Sequence, residues 1–241
     1  MMQTDLYQGM SDFYNAFVQR NRDYKLIATD LIELFGNGQN ILDVGIGTGL
    51  LVEQILQLRP DLRVAGVDTS ASLLAQAEEC LGSQVELYCQ DISNLYLDRL
   101  FDIAYSRGGA WAFVHDGDRL LLASHILDLP SIERSFERVA AHLCDRGRLI
   151  IISSNSNHTK QEQLDNEVSF KRTITEEFIG DEQYLILDYC CYRHSVLVGE
   201  QQVRMRLIDL ESVETMLQAV GFSSVSDHNS QYHIYQKGSL Q

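Results

Sequence analysis

Several features that would assign the protein to a special class are missing from its sequence. The 241 residues include only 2 Pro and no low-complexity tract, which excludes collagen-like and disordered proteins. The five cysteines are odd in number and have no C-x-x-C spacing, so neither a disulfide framework nor a metal site is predicted. No run of 18 apolar residues occurs, and the first residues lack the pattern of a signal peptide. We therefore expect a cytoplasmic protein that does not span a membrane.

Positive charge is also scarce. There are 19 Lys and Arg against 34 Asp and Glu, which gives a formal net charge of −15. Such a field repels phosphate backbones, so nucleic acid is not an expected partner. The length fits one large α/β domain with an insertion.

Short apolar runs alternate with helical patterns over much of the chain. Strands are predicted at 41–44, 63–67, 85–89, 101–105 and 147–153, and helices at 50–58, 70–81 and 131–143. This alternation is typical of βαβ crossovers and a parallel sheet. The sequence thus predicts an α/β fold: a Rossmann-like, mostly parallel seven-stranded sheet with helices on both faces.

The pattern changes after residue 154. Extended segments separated by turns indicate an antiparallel insertion over 155–209 that covers the active site. A helix at 210–220 and a hairpin of 222–225 with 232–236 return the chain to the sheet. We therefore predict an N-terminal helical cap over 1–36, and a Rossmann-like domain formed by 37–154 and 210–241.

The most informative segment is a strand that runs into a glycine-rich turn, Asp43-Val44-Gly45-Ile46-Gly47-Thr48-Gly49. Glycine allows positive φ and a close approach of the backbone to a ligand, so a ligand is predicted over this turn. A dinucleotide fingerprint reads G-x-G-x-x-G, but position 50 is Leu50 and the spacing here is G-x-G-x-G. Asp43 would repel a pyrophosphate and attract a cation. The motif therefore favours a positively charged ligand over NAD.

Two further acids follow at similar intervals. Asp68 ends the second predicted strand, and Asp91 comes just after the third. Open α/β sheets bind ligands at the carboxyl ends of their strands, so Asp43, Asp68 and Asp91 should lie side by side there. Carboxylates can accept hydrogen bonds from ribose hydroxyls and from the adenine amine. The acids predict a site for an adenosine with a cationic tail, although Asp91 has the alternative role of capping a short helix.

These motifs resemble those of the class I S-adenosylmethionine-dependent methyltransferases, over about residues 40–152 and the closing helix and hairpin. The resemblance implies S-adenosylmethionine as cofactor and S-adenosylhomocysteine as its product. In that family the glycine turn holds the methionine part, and the acids after the second and third strands bind ribose and adenine. The implied cofactor-binding residues are Asp43, Gly45, Gly47 and Gly49, then Asp68 with Thr69, and Asp91 with Ile92. Ser106, at the end of the fourth strand, is the implied contact near the cofactor's amino group.

His115 and Tyr14 are the predicted catalytic residues. A sulfonium is already an activated methyl donor, so the protein mainly aligns the acceptor and excludes water. A base helps when the acceptor is protonated, and His115 follows Ser106 by nine residues. The alternative interpretation is that His115 lies in a loop and has no catalytic role.

The acceptor pocket is predicted from three parts of the chain: the first helices with Tyr14, the loop 107–115, and the insertion. In the loop, Trp111 and Phe113 form either an apolar pocket or part of a core. The arginines that could hold an acceptor carboxylate are Arg107, Arg193, Arg204 and Arg206, with surface salt bridges as their alternative.

The sequence thus predicts a methyltransferase that acts on nitrogen or oxygen of a small molecule or short peptide, as a monomer or homodimer. One alternative is a non-catalytic module that binds the same cofactor and acts through a protein partner. A nicotinamide-dependent oxidoreductase is the third choice.

Overall fold

The computed structural model describes residues 13, 15, 23–154, 159–164, 167–226 and 230–239. The strands of this part of the chain are β1 (Asn40–Val44), β2 (Arg63–Asp68), β3 (Val85–Cys89), β4 (Phe101–Ser106), β5 (Trp111–Asp116), β6 (Arg119–Ser124), β7 (Leu143–Ile152), β8 (Lys160–Gln163), β9 (Val168–Ile179), β10 (Glu182–Arg193), β11 (Val196–Asp209), β12 (Phe222–Ser224) and β13 (Tyr232–Lys237). The α-helices are α1 (Tyr24–Phe35), α2 (Leu50–Leu58), α3 (Ala71–Leu81), α4 (Leu129–Ala141) and α5 (Leu210–Ala219).

Seven strands form the main sheet, in the order β12-β13-β7-β4-β1-β2-β3. Pairing is parallel from β3 to β7, and β13 is antiparallel to both of its neighbours. The fold class predicted from the sequence, a mostly parallel Rossmann-like sheet closed by a late hairpin, is confirmed.

Helices cover both faces of this sheet. One core cluster joins Leu42 and Ala104 to Phe136 of α4 and Leu217 of α5. The other joins residues such as Ile41 to the apolar stripes of α1, α2 and α3. Alternate residues of β1 therefore enter opposite cores, as the pleat of a doubly covered strand requires.

Side-chain caps fix the start of most of these helices. Asp23, Ser70, Asp128 and Asp209 each accept a backbone N–H bond from the first turn of α1, α3, α4 and α5. Helix α2 differs, because it begins at Gly49 without a side-chain cap, directly after the glycine turn. None of the helices in the described part of the chain is long and apolar enough to cross a membrane.

A second, antiparallel sheet has the order β5-β6-β11-β10-β9-β8. Its last four strands lie in the predicted insertion, but β5 and β6 come from the region before α4. The interpretation of 107–115 as a loop is wrong for its second half, because residues from Trp111 onward form β5. Trp111 and Phe113 are fully buried, with Trp111 packed on Phe136 at 4.7 Å between ring centroids, so they form core rather than a pocket.

Candidate functional site

Two adjoining cavities open at the carboxyl edge of the main sheet, where open α/β sheets bind ligands. Both are lined by Gly45, Asp68, Thr69, Gly109 and His125. The first cavity lies toward α1 and α2, and the second lies toward the residues that follow β3. The second has a volume of about 390 Å³, within the range of small-molecule pockets. One ligand that passes Gly45 can therefore reach both cavities.

Asp43 supplies a buried carboxyl group to the first cavity, with 4% of its surface exposed. The Tyr105 hydroxyl donates to Asp43 Oδ2 at 2.6 Å. Burial raises the pKa of Asp43 to about 7, Tyr105 opposes this shift, Asp68 adds to it, and Arg107 lowers it again. Such a carboxyl group is poised to ionise when a cation enters the cavity.

Arg107 is the one lysine or arginine among the described residues that line the two cavities. Its guanidinium carbon lies 5.3 Å from the centroid of the Tyr24 ring, and Tyr24 also lines the first cavity. The first cavity is thus lined by two acids, Asp43 and Asp68, and by one permanent cation, Arg107. This arrangement suits a ligand end that carries both an ammonium and a carboxylate.

Asp68 lies at the junction of the two cavities. Its Oδ2 accepts the Gly47 N–H and its Oδ1 accepts the Ser70 N–H, both at 2.9 Å. These bonds fix the carboxylate between the glycine turn and the start of α3. Each carboxylate oxygen can accept a further bond, so a ligand hydroxyl can be bound there as well.

The backbone of the glycine turn has positive φ angles, which residues other than glycine seldom adopt. The values are +86° at Gly45, +58° at Gly47 and +80° at Gly49. Gly45 and its neighbour Ile46 both donate to the Val67 carbonyl, which ties the turn to β2. These two bonds hold the start of the turn against the end of β2.

The connection between β4 and β5 covers Gly45. A Cβ built on Gly45 would overlap Gly109 Cα and lie 2.7 Å from its carbonyl carbon. The His125 N–H donates to the Ala110 carbonyl, and His125 Nε2 lies 3.2 Å from the Gly108 carbonyl oxygen. Because a carbonyl only accepts, Nε2 carries the proton. Burial lowers the pKa of His125 to about 4, so the ring is neutral at pH 7.

Asp91 and Ile92 both line the second cavity, as does Ile126 after β6. Asp91 Oδ1 also accepts the Ser93 N–H at 2.8 Å and caps a 3₁₀ turn at Ile92–Asn94. The alternative role named from the sequence is thus present, in a residue that also faces the cavity. The second cavity combines apolar walls with three aspartates, Asp68, Asp91 and Asp128.

Most of the sequence-predicted cofactor residues are brought together at these cavities. The exceptions are Ser106 and Gly49, which line neither of them. Ser106 is fully buried, and its Oγ both donates to the Trp111 carbonyl and accepts the Trp111 N–H. Gly49 lies just behind the turn as the first residue before α2.

The two predicted catalytic residues are not brought to the cavities. His115 is exposed on β5 and lines a separate cleft with Ile174 and Glu176 of β9. Tyr14 lies outside the described residues, as does most of the predicted N-terminal cap. The catalytic roles of both remain predictions.

Sequence reasoning missed Tyr105, Gly109 and His125 as site residues. The Gly108-Gly109 pair after the fourth strand was the available signal, since adjacent glycines mark a close backbone approach. Among the residues that the structure describes, no group of three or more His, Cys, Asp and Glu is placed to hold a metal ion.

The fold is the Rossmann-like one that the sequence motifs imply, and the predicted cofactor residues line its carboxyl edge. Comparison with known proteins agrees, because residues 41–147 match the family model described as a methyltransferase domain. A structure of an S-adenosylmethionine-dependent methyltransferase from Clostridium acetobutylicum superposes with a TM-score of 0.70 at 21% identity, over 97% of this chain and 99% of that one. The resemblance to the class I S-adenosylmethionine-dependent methyltransferases is confirmed.

Two other similar proteins differ in what they methylate. An amino pentose methyltransferase from Micromonospora echinaspora superposes with a TM-score of 0.70 at 15% identity, over 94% of this chain and 96% of that one. A malonyl-(acyl-carrier protein) O-methyltransferase from Acetivibrio thermocellus is 30% identical over 95 residues, 39% of this chain and 34% of that protein. The matched region thus spans about a third of the length of the curated relatives.

Proposed function

We propose that the protein is an S-adenosylmethionine-dependent methyltransferase that methylates nitrogen or oxygen of a small molecule or short peptide. The observation that carries this proposal is the pair of cavities joined at Gly45 and Asp68, with Asp43 and Arg107 at one end and Asp91 at the other. A cofactor with an amino acid at one end and adenosine at the other matches this order of groups.

The first cavity accommodates the methionine end. Asp43, in its ionised form, would hold the ammonium group, and Arg107 would hold the α-carboxylate. The buried Tyr105 hydroxyl keeps the Asp43 side chain oriented. The fit rests on both charged groups lining one small space.

The adenosine end occupies the junction and the second cavity. Asp68 accepts from the ribose hydroxyls while it holds the Gly47 N–H. Ile92 and Ile126 would provide apolar contacts for the adenine, and Asp91 would accept from its amine. These are the roles that the family resemblance implies for Asp68, Asp91 and Ile92.

When bound, the cofactor supplies a sulfonium-activated methyl group to the nucleophile of the acceptor. The protein contributes alignment and exclusion of water: Tyr24 and Leu50 line the first cavity beneath the end of the second sheet. Neutral His125 holds the Gly108–Ala110 segment against Gly45. Proton removal from the acceptor is assigned to none of the residues at the two cavities.

The relatives support an acceptor that offers nitrogen or oxygen. Two structural neighbours are an amino pentose methyltransferase and a sugar N-methyltransferase, and the curated relatives are O-methyltransferases of malonyl-(acyl-carrier protein). An acceptor carried on a protein is therefore included among the substrates to test. A non-catalytic cofactor-binding module is the second candidate, and methyl transfer to any member of an acceptor panel distinguishes the two.

The first test is calorimetric binding of S-adenosylhomocysteine to the wild-type protein and to Asp68→Ala. Loss of charged hydrogen bonds to the ribose should weaken binding by about tenfold or more. Asp61→Ala is the matched control, because Asp61 is exposed at the amino edge of the sheet and pairs with Arg59. Equal affinity in wild type and Asp68→Ala would contradict the ribose assignment, and no binding to the wild type would contradict the function.

The second test separates the two ends of the cofactor. Arg107→Gln should weaken S-adenosylhomocysteine by about tenfold, since one charge-assisted contact to the carboxylate is lost. It should leave 5′-methylthioadenosine, which has no amino acid part, bound as in the wild type. A similar loss for both ligands would show that Arg107 supports the whole site rather than the carboxylate.

A further inference from the structure

Arg107 has to be held in one orientation if it is to meet the carboxylate of the cofactor. It directly follows the last residue of β4 and precedes the pair Gly108 and Gly109. An arginine side chain has several rotatable bonds, so a fixed guanidinium requires contacts with its neighbours. Its Nε atom is fully buried, and its guanidinium therefore lies against the protein rather than in solvent. The contacts made there decide how Arg107 presents its charge to the first cavity.

Tyr24 supplies one of these contacts. The guanidinium carbon of Arg107 lies over the Tyr24 ring, 5.3 Å from its centroid, within the range of a cation–π interaction. Both residues line the first cavity. The ring attracts the cation without acting as a carboxylate partner, so it does not compete with a ligand carboxylate for the same charge. The contact with Tyr24 can thus hold Arg107 in place without blocking an anion.

The position of the Tyr24 ring is itself fixed by the fold. Tyr24 is the first residue of α1, and the Asp23 side chain accepts the Leu26 N–H at 3.0 Å to cap this helix. Tyr24 packs against the core between the main sheet and α1, and also against a buried cluster at the second sheet. That cluster consists of Leu164, Val168, Phe170 and Cys191. Moving the ring away from Arg107 would therefore cost packing with both clusters.

Arg204 and Tyr184 form a similar pair elsewhere in the second sheet. The guanidinium carbon of Arg204 lies 3.9 Å from the centroid of the Tyr184 ring. Arg204 also pairs with Glu177 at 3.0 Å, so the salt-bridge alternative considered from the sequence applies to it. Neither Arg204 nor Tyr184 lines the two cavities at the sheet edge. This second pair therefore offers a matched comparison for the contact of Tyr24 with Arg107.

We propose that Tyr24 is a positioning residue, whose ring face holds the Arg107 guanidinium where it meets the α-carboxylate of the cofactor. The proposal rests on the proposed function, in which Arg107 binds that carboxylate. The hydroxyl of Tyr24 is not needed for this role, because the contact is made by the ring. Since Tyr24 also packs against the cluster at the second sheet, contacts outside the main sheet help to shape the methionine end of the site.

The test is calorimetry on the full chain with two ligands, S-adenosylhomocysteine and 5′-methylthioadenosine, of which only the first has a carboxylate. Tyr24→Leu should bind S-adenosylhomocysteine about fivefold more weakly than the wild type, because the support of the cation is lost. It should bind 5′-methylthioadenosine as the wild type does. Tyr24→Phe keeps the ring and should bind both ligands normally. Tyr184→Leu is the matched control and should also bind both ligands normally.

A double-mutant cycle shows whether Tyr24 acts through Arg107. In a protein that already carries Arg107→Gln, Tyr24→Leu should weaken binding of S-adenosylhomocysteine little or not at all, since the side chain that the ring positions is gone. A residue that only supports the fold would cause the same loss in both backgrounds.

Equal binding of S-adenosylhomocysteine by Tyr24→Leu and the wild type would overturn the positioning proposal. An equal loss for both ligands, the same loss in Tyr24→Phe, or additive losses in the cycle would also overturn it. In each case the wild type still binds both ligands and the methyltransferase proposal stands, whereas a wild type that binds neither ligand overturns both proposals. If Tyr24→Leu does not fold, Tyr24→Met, which keeps an apolar side chain of similar length, replaces it with the same criteria.

Discussion

Gly45→Ala is expected to abolish binding of S-adenosylhomocysteine and to lower the free energy of unfolding by about 3 to 5 kcal/mol. The added methyl group overlaps Gly109 Cα, so the glycine turn and the β4–β5 connection have to separate. The φ of +86° adds strain of about 1 to 2 kcal/mol for any residue with a Cβ. The relevant measurements are denaturant unfolding and calorimetry with S-adenosylhomocysteine.

Gly47→Ala provides the matched control two residues along the same turn. Its φ is +58°, but a Cβ there has no atom within 4 Å. We expect a loss of about 1 to 2 kcal/mol from backbone strain alone. The contrast depends on the close approach at Gly45, so equal effects of the two substitutions would contradict the role assigned to the contact with Gly109.

The main sheet and the carboxylate row were predictable because both follow from local patterns. Each parallel strand is a short apolar run bounded by turn residues, and strand order follows from right-handed crossovers. Counting residues from the end of each strand then places three acids at the carboxyl edge of the sheet: Asp43, Asp68 and Asp91. The structure places all three in the lining of the two cavities.

The second sheet was only partly predictable. Residues Trp111 to Val114 are all buried, so they lack the alternation that identifies a half-exposed strand. The glycines before this run and the acids after it indicated a loop. β5 pairs with β6 as a hairpin, but the pairing of β6 with β11 joins segments more than 80 residues apart, which no local pattern encodes.

The burial of single side chains was the least predictable property. Arg172 has no local feature that separates it from Arg204, because both lie in alternating strands of the same insertion. The strand register decides which of them is buried. In the same way, the predicted strand at 101–105 gives no sign that the Tyr105 hydroxyl donates to Asp43.

The state of Asp43 leads to a prediction for the protein without ligand. Burial raises the pKa of this carboxyl group from 3.8 to about 7, against the effects of Tyr105 and Arg107 and with that of Asp68. Between these pH values the folded state holds a proton that the unfolded state has lost, so the stability contributed by Asp43 falls as pH rises from about 4 to about 7. Asp43→Asn removes this dependence.

The free energy of unfolding of Asp43→Asn should therefore exceed that of the wild type by an amount that grows with pH. The gap should reach about 4 kcal/mol at pH 8, since each pH unit in that window is worth about 1.4 kcal/mol. Urea unfolding of both proteins at pH 5 and pH 8 measures it. A gap that does not change with pH would mean that Asp43 is ionised throughout.

Cofactor binding should become stronger as pH rises, whereas stability falls, because the ammonium group of the cofactor favours the ionised carboxylate. Wild-type affinity for S-adenosylhomocysteine should rise between pH 6 and pH 8, with release of a proton that depends on buffer ionisation enthalpy in calorimetry. Asp43→Asn should bind more weakly at pH 8 and show no such rise. The same carboxyl group thus destabilises the free protein and strengthens the complex, so a stabilised variant that binds poorly would identify Asp43 as a functional rather than a structural residue.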